Sequence, residues 1–298
     1  IFDDFFYPLD QNSPTVKFKS NLHRGCKDWA LELDSVQDYA DIAAGTQAVY
    51  EYVFEHILKQ ARKLLDNENV VLMGGCALNC SANHLAYNHF DDVWIMPNPG
   101  DAGSAIGAVL AHKKQHMPMD HAYLGYNIEG DYPVEEAISE LKKTGIVGIA
   151  NGRAEFGPRA LGNRSLLADP RGEEIKDLVN GIKKRQKVRP FAPAILEEDV
   201  NDYFALPKAV KNTPYMQYTA SYTHGNDCPA ILHHDGTSRV QTVSKTDNEG
   251  FYELLKAWKK ETGCPILLNT SLNIKGMPMV NDTKDGKDWT AKYGVKVL

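Results

Sequence analysis

Residues 154–171 combine three arginines with glycines and prolines in the sequence AEFGPRALGNRSLLADPR. Arg159, Arg164 and Arg171 are spaced too irregularly for one helix face, and the glycine and proline steps disfavour a long helix or an unbroken strand. Because arginine forks match the oxygens of phosphate groups, this stretch predicts guanidinium groups that are held in place for an anion. We expect Arg171, by contrast, to pair with Asp169 or with a following glutamate.

Three further segments add cations together with hydroxyl and amide groups. The segment 183–193, KKRQKVRPFAP, has five basic residues in seven positions. Such a run can be a solvated face, but the Pro-Phe pair that follows indicates that Lys187 and Arg189 lead into a rigid, partly buried strand. The segments 233–243, HHDGTSRVQTV, and 265–273, PILLNTSLN, supply another arginine and several hydroxyl and amide groups. Of the two histidines that begin segment 233–243, one is expected to face a strand interior and the other to serve the site. Polar residues at the end of a strand are where α/β proteins bind ligands, so the set suits a triphosphate and a second phosphate-bearing substrate.

Two glycine-rich turns earlier in the chain are typical of places where backbone approaches a ligand. In 74–83, GGCALNCSAN, and in 98–108, NPGDAGSAIGA, glycines stand where a strand turns into an expected helix. Two such turns can clasp a nucleotide, and Asp101, at the expected helix N-cap, can ligate a hard metal. Both turns are also compatible with ordinary α/β connections in which Asp is a routine cap.

Other reactive residues are expected to be structural. His112 and His116 stand four apart, but no carboxylate lies between them and the segment runs into lysines and proline, so we expect no metal there. Cys76 and Cys80 are expected to be core thiols beside a helix, because no base is evident near them.

Alternating strands and helices must position these groups, which predicts an α/β fold. Apolar residues recur at three- and four-residue steps from Ser35 to about Leu65, and Ser35 with Asp38 resembles a capping box. Strands are expected at 69–75, 93–96, 145–151, 189–196, 239–245, 265–269 and the C-terminal end, and further helices at 76–90, 101–112, 134–143, 173–184 and 250–262. Because residues 113–132 lose periodicity, we expect a first domain over 1–115, a linker over 116–133 and a second domain over 134–298.

Composition restricts the class of protein. The 298 residues are enough for two domains, and the net charge of -6 disfavours general nucleic-acid binding, which needs a basic surface. Five scattered cysteines favour a reducing cytoplasm over a disulfide framework. No apolar run in the sequence is long enough to span a bilayer. The sequence begins IFDDFFYPLD, without an initiator methionine, and we expect a processed or truncated product.

Taken together, these motifs resemble the O-carbamoyltransferase family that includes the nodulation-factor, cephalosporin and tobramycin carbamoyltransferases. The resemblance extends from about Ser35 nearly to the end of the chain, in the family's order. The segments that carry it are DIAAGTQAVYEYV, GGCALNCSAN, PGDAGSAIGA, EFGPRALGNRSLLADPR, RPFAPAI, HDGTSRVQTV and ILLNTSLN.

The resemblance implies the second half of an actin/Hsp70-like (ASKHA) domain followed by a YrdC-like α/β domain. It implies that the second domain forms carbamoyl-adenylate from carbamoyl phosphate and ATP with Mg²⁺, and that the first transfers the carbamoyl group to a hydroxyl of a small-molecule acceptor with a divalent metal, iron being a candidate. The residues it assigns to catalysis are Arg159, Arg164, Lys187 and Arg189. Those it assigns to nucleotide and carbamoyl phosphate are Ser165, His234, Arg239, Asn269, Thr270, Ser271 and Asn273. Those it assigns to adenylate in the transfer domain are Gly74, Gly75, Asn79 and Gly103, with Asp101 on the metal.

The sequence departs from the family at its start, where the first subdomain and its HxxxH metal-binding pair are absent. We therefore expect either a piece of a longer enzyme or a remnant with an incomplete transfer site, in which adenylate formation could survive. The alternatives left open are a threonylcarbamoyl-type enzyme acting on tRNA and a non-catalytic nucleotide-binding protein.

Overall fold

The computed structural model describes residues 1–23, 25, 26, 29, 32–187 and 189–298. The chain forms two compact units, of which the first contains Ile1–Val71 and Ala82–Trp94 and the second contains Leu72–Ser81 and Ile95–Leu298. The boundary between the two compact units therefore lies earlier in the chain than residues 116–133, where a linker is expected.

A long helix dominates the first unit. Helix α1 covers Phe2–Phe5 and helix α2 covers Val36–Leu64. The Ser35 hydroxyl accepts from the Asp38 amide, and the Asp38 carboxylate accepts from the Ser35 amide, so the expected capping box is confirmed. Strands β1 (Asn69–Leu72) and β2 (Asp92–Ile95) pair with each other.

The helix expected over 76–90 is not formed. Two short 3₁₀ helices, Gly75–Leu78 and Asn83–Asn88, replace it. The asparagine and serine side chains of this stretch can hydrogen-bond to the nearby backbone, which favours turns over a helix interior. The spacing of the apolar residues does not reveal this preference.

The second unit is a mixed α/β structure built on a five-stranded sheet. Its helices are α3 (Ser104–Lys113), α4 (Val134–Thr144), α5 (Ile175–Ile182), α6 (Val200–Tyr203), α7 (Glu249–Thr262) and α8 (Thr283–Tyr293). Its strands are β3 (Tyr123–Ile128), β4 (Ile146–Ala150), β5 (Gly152–Glu155), β6 (Arg164–Ala168), β7 (Ala192–Leu196), β8 (Phe204–Ala205), β9 (Thr219–Tyr222), β10 (Thr237–Arg239), β11 (Gln241–Val243) and β12 (Ile266–Ser271).

The central sheet has the strand order β11-β7-β12-β6-β4. Only β11 and β7 run parallel, and the other neighbours are antiparallel. A second sheet has the order β10-β9-β8, and β3 pairs with β5.

Alternate residues of the central strands supply two apolar layers, as the pleat of a strand requires. One layer packs Val147, Ile149 and Leu267 against residues of α4 and α7, among them Leu141 and Trp258. The other face contributes a second core cluster, whose members include Ile146, Leu166, Ala168, Ile195 and Ile266. Apolar residues on both faces explain why β4, β6 and β7 are buried along their whole length.

The sequence boundaries need two corrections in this unit. Residues 123–128 of the expected linker form β3, which pairs antiparallel with β5. The C-terminal stretch forms α8 and then a single bridge between Val297 and Gly148 of the central sheet. Among the described residues, no helix has the length and apolar character needed to cross a membrane.

Candidate active site

A cavity of about 390 Å³ opens in the second unit and contains four arginines. Its volume lies in the range of small-molecule sites. The residues that line it are Cys80, Pro158, Arg159, Ala160, Arg185, Arg189, Pro190, Phe191, Ala192, Met216, His233, Arg239, Asn269, Thr270 and Ser271.

Three of the cavity's arginines, Arg159, Arg189 and Arg239, have guanidinium groups without a partner among the described residues. Arg159 and Arg239 are half-buried and make no side-chain hydrogen bond or ion pair with any described residue. The Nε atom of Arg239 is fully buried and unsatisfied. Since these guanidinium groups line the cavity without an acceptor among the described residues, their terminal N–H donors are available to an anion that enters it.

A buried asparagine organises the segment that carries the other two arginines. Asn180 in α5 donates from Nδ2 to the carbonyl oxygens of Lys187 and Arg189, at 3.1 Å each. Its Oδ1 accepts from Nε of Arg185 at 2.6 Å. The Arg185 guanidinium also lies 4.2 Å from the centre of the Phe191 ring, a cation–π contact that fixes its plane.

The arginines create a region of strong positive potential. Burial lowers the pKa of Arg159, and burial followed by the charge of Arg189 lowers the pKa of Arg185 to about 10. Burial and then the charges of Arg159, Arg185 and Arg189 lower the pKa of Arg239. None of the described residues that line the cavity is acidic. Since arginine remains protonated at neutral pH, the cavity favours a polyanion.

A buried lysine shapes the end of β12 beside the cavity. Lys183 is 4% exposed, and its Nζ donates to the carbonyl oxygen and Oγ of Ser271 and to the carbonyl oxygen and Oδ1 of Asn273. Burial, and then the charges of Arg185 and Arg189, lower the pKa of Lys183 to about 7. Four oxygen acceptors favour the ammonium form, and we assign that form, whose three N–H donors are shared among the four oxygens.

The loop between β5 and β6 brings Arg159 to the cavity because a carboxylate holds its backbone. Oε1 of Glu155 accepts from the amides of Leu161, Asn163 and Arg164 at 2.7, 2.9 and 3.2 Å. Gly162 has φ +121°, and a Cβ there would lie 2.5 Å from the Phe251 ring. Glycine is therefore needed at position 162 for two reasons: other residues rarely adopt this positive φ, and a side chain would collide with the Phe251 ring.

Arg164 does not reach the cavity, which corrects its expected catalytic role. It is fully buried, and its guanidinium donates to the backbone oxygens of Asn151, Gly152, Asn163, Tyr126 and Asn281. Because these backbone oxygens accept the hydrogen bonds that an anion would need, we conclude that Arg164 links separate loops and does not bind a ligand.

Four other expected site residues also lie outside the cavity lining. Ser165 is buried and accepts from the Gly162 amide, and Asn273 bonds to Lys183 and Met277. The Lys187 side chain is 75% exposed and pairs with Asp177, and His234 is exposed while His233 lines the cavity. The residues that do meet there as expected are Arg159, Arg189, Arg239, Asn269, Thr270 and Ser271.

Sequence reasoning did not assign Arg185 and His233 to the site. Arg185 belongs to the basic segment 183–193. Because this segment is irregular, its sequence has no periodicity that indicates which side chains face the cavity. Cys80 also lines the cavity and Cys76 is exposed, so the expectation of two core thiols is wrong. Arg171 pairs with Asp169 through two hydrogen bonds of 2.9 and 2.7 Å, as expected.

The two glycine-rich turns lie side by side in the second unit. The Gly74 amide donates to the carbonyl oxygen of Pro99 at 2.8 Å, and a Cβ on Gly103 would lie 1.9 Å from the Asn98 oxygen. Asp101 is exposed and begins a short 3₁₀ helix (Asp101–Gly103) whose N-cap is Gly100, so the expected N-cap position is wrong. The described residues contain no group of three His, Cys, Asp or Glu side chains that could hold a metal ion, His112 and His116 included.

Comparison with known proteins finds two family models that match successive parts of the chain. The family model described as "Carbamoyltransferase N-terminus" matches residues 11–110, and that described as "Carbamoyltransferase C-terminus" matches residues 138–298. Similar proteins include nodulation protein NolO of Bradyrhizobium diazoefficiens, at 36% identity over 96% of this chain and 58% of the relative. They also include 3'-hydroxymethylcephem-O-carbamoyltransferase of Amycolatopsis lactamdurans, at 34% identity over 79% of this chain and 48% of the relative. Nodulation protein U of Rhizobium tropici is 35% identical over 77% of this chain and 43% of the relative. The chain spans about half the length of these relatives.

Proposed function

Because the chain belongs to the carbamoyltransferase family, we propose that it takes part in ATP-dependent transfer of a carbamoyl group to a hydroxyl of a small-molecule acceptor. We assign formation of carbamoyl-adenylate to the arginine-lined cavity. We further propose that residues 1–115 form half of an actin/Hsp70-like domain and that residues 134–298 form a YrdC-like domain.

The observation that carries the proposal is the excess of positive charge in the cavity. Four arginines line it without an acidic neighbour among the described lining residues, and the guanidinium groups of three of them have no partner within the described part of the chain. A triphosphate together with carbamoyl phosphate supplies several anionic groups to such a site. Hydroxyl and amide groups of Thr270, Ser271 and Asn269 border the same space and offer neutral hydrogen bonds.

The proposed reaction proceeds in three balanced steps. Water cleaves carbamoyl phosphate to carbamate and inorganic phosphate. A carbamate oxygen then attacks the α-phosphorus of ATP, the bond to the β-phosphate oxygen breaks, and pyrophosphate leaves. Finally the acceptor hydroxyl attacks the carbamoyl carbon, AMP leaves, and the hydroxyl proton passes to solvent.

The cavity residues stabilise charge in the adenylation step. Negative charge grows on the oxygens around the α-phosphorus and on the departing pyrophosphate, and fixed guanidinium groups stabilise it without reorganisation. Arg159 and Arg239 are suited to this role because their donors are free. Arg185 and Arg189 are suited to holding the outer phosphates, since Asn180 fixes their segment.

The residues described here do not fit the metal proposed for the transfer step. Asp101 is exposed, and the described residues bring no His, Cys, Asp or Glu cluster around it. We therefore derive no step through a metal from this chain.

Release of pyrophosphate from ATP tests the proposal. We expect release that depends on carbamoyl phosphate, and we expect Arg159→Ala to abolish it. Arg153→Ala is the matched control, because Arg153 is exposed and its guanidinium donates, among the described residues, only to the Leu124 carbonyl oxygen. Folded protein that releases no pyrophosphate would contradict adenylate formation, and release of AMP that is stimulated by tRNA would favour the alternative acceptor.

A further inference from the structure

The turn that carries Cys80 places a thiol in the wall of the arginine-lined cavity. Cys80 is half-buried and lines the cavity together with Arg159 and Arg239. Its amide donates to the Leu78 carbonyl oxygen at 3.0 Å, and its carbonyl oxygen accepts from the Thr219 amide at 3.2 Å. The backbone is thus fixed on both sides, and the partly exposed Cys80 borders the space that an anion enters.

The Cys80 sulfur lies close to two guanidinium groups. Burial lowers the pKa of Arg159, and the charge of an ionised Cys80 opposes this lowering. Burial and then the charge of Arg159 lower the pKa of Arg239, and an ionised Cys80 again acts in the opposite direction. The guanidinium groups of both arginines have no partner in the part of the chain that the structure describes. A molecule that brings negative charge to these groups is therefore held beside a nucleophile.

A second cysteine of the same turn lies in a different electrostatic environment. Cys76 precedes Cys80 by four positions, is exposed, and is not among the described residues that line the cavity. A neutral reagent meets the two thiols according to their exposure, which favours Cys76. A reagent with negative charge is concentrated in the cavity by the field of its arginines, which favours Cys80. The charge of the reagent therefore decides which of the two thiols reacts first.

We propose that Cys80 is a modification site at which a small anionic disulfide, with the chemistry of oxidised glutathione, forms a mixed disulfide that closes the cavity to polyphosphates. The thiolate sulfur of Cys80 attacks one sulfur of the disulfide, and a new S–S bond forms as the old one breaks. The departing thiolate takes up the proton that Cys80 loses, so Cys80 is oxidised and one half of the reagent is reduced. A reducing thiol reverses the reaction.

The attached group blocks the cavity by charge as well as by size. Its carboxylates pair with Arg159 and Arg239, which are then no longer available to phosphate oxygens. The modification requires the charge of the cavity and the thiol in its wall, and it does not require adenylate formation.

Mass spectrometry of the full chain tests the proposal at single cysteines. Oxidised glutathione, neutral 2-hydroxyethyl disulfide and cationic cystamine are compared at equal concentration, and the labelling rates of Cys80 and Cys76 are read from fragments of the peptide that contains both. We expect the ratio of the Cys80 rate to the Cys76 rate to be about 10-fold higher for oxidised glutathione than for the neutral disulfide, and lowest for cystamine. Added NaCl should reduce this difference, because salt screens the attraction. Pyrophosphate should slow the labelling of Cys80 and not that of Cys76.

Calorimetry with pyrophosphate measures whether the adduct closes the cavity. Treatment with oxidised glutathione should lower the affinity at least about 10-fold, as expected when charge-assisted hydrogen bonds are no longer made, and dithiothreitol should restore it. Cys76→Ser is the matched control, because it removes a thiol from the same turn and should respond to treatment like the unmodified protein. The affinity of Cys80→Ser should be the same before and after treatment.

A change in cavity charge tests the electrostatic cause separately. Arg239→Met should slow the labelling of Cys80 by oxidised glutathione and not by the neutral disulfide, because only the first is attracted by charge. An equal effect on both reagents would assign the change to packing and contradict the electrostatic cause.

The remaining outcomes overturn the proposal in distinguishable ways. No adduct on Cys80, or equal rate ratios for the three disulfides, contradicts the site. Unchanged pyrophosphate affinity of the fully modified protein contradicts closure of the cavity, and a loss of affinity in treated Cys80→Ser assigns the effect to another thiol. Because labelling needs no turnover, each of these results leaves adenylate formation intact. Unmodified protein that does not bind pyrophosphate contradicts both proposals.

Discussion

Replacement of Arg239 by Met should raise the stability of the unliganded protein while it weakens anion binding. The Arg239 side chain has no partner among the residues that the structure describes, and its Nε is buried and unsatisfied. Methionine keeps much of the unbranched stem and removes the charge. Two effects of opposite sign are therefore expected from one substitution, as is typical of residues that are strained for function.

The size of the stabilisation follows from the electrostatics of the cavity. Burial and the three neighbouring arginines lower the pKa of Arg239 to about 10, and a buried donor without an acceptor costs about 1–3 kcal/mol, or more when it is charged. Because the folded-state pKa is lower than the unfolded-state pKa, the charged form disfavours folding at every pH below about 10. Lost packing of the side chain reduces the gain, so we expect about 1–3 kcal/mol.

Thermal unfolding, followed by fluorescence or calorimetry, measures both effects. A gain of this size should raise the midpoint by about 2 °C or more per kcal/mol without ligand. Added ATP or pyrophosphate should stabilise the unmodified protein more than the variant. Arg171→Met is the control, because that arginine is paired with Asp169 and its loss should give no increase. A lower midpoint for the Arg239 variant without ligand, or equal stabilisation of both proteins by polyphosphate, would refute this reasoning.

Three further changes test the elements around the cavity. Glu155→Ala should destabilise the protein by about 1–3 kcal/mol and reduce pyrophosphate release, because three backbone amides lose their acceptor; denaturant unfolding and the release assay check both, and unchanged values would contradict it. Lys183→Met should cost about 1–3 kcal/mol and impair release, because the oxygens of Ser271 and Asn273 lose their donor; a fully stable and active variant would exclude this role. Burial lowers the pKa of His233 below 6.5, so the unfolded state takes up its proton first as pH falls and stability is lost on acidification. His233→Gln should therefore lose less stability than the unmodified protein between pH 7 and pH 5, as urea unfolding at each pH would show, and an equal loss in both proteins would argue against this linkage.

The sequence was most informative where local chemistry determines structure. The capping box of Ser35 and Asp38 and the ion pair of Arg171 with Asp169 depend on residues within three positions of each other, so their spacing was sufficient. Four strands of the central sheet, β4, β7, β11 and β12, were also expected as short apolar runs, whereas β6 lies in the stretch where glycine and proline disfavour a strand. The expectation of a helix over 76–90 is wrong, because it rests on apolar periodicity alone and the asparagines of this region favour turns.

Tertiary contacts decided which members of the candidate site meet. Arg159 and Arg164 stand five residues apart in one stretch, yet one lines the cavity and the other binds backbone oxygens from four separate segments. Nothing in the local sequence distinguishes the two roles. In the same way, Arg185 and Lys187 belong to one basic run, and the position of Asn180 directs only the first towards the cavity.

Exchange of labelled pyrophosphate into ATP is the most direct test of adenylate formation in the arginine cavity. Because formation of an adenylate from carbamate and ATP is reversible, we predict exchange that requires carbamoyl phosphate, survives Arg153→Ala and disappears in Arg159→Ala. Exchange that proceeds without carbamoyl phosphate, or that is unchanged by Arg159→Ala, would contradict the assignment.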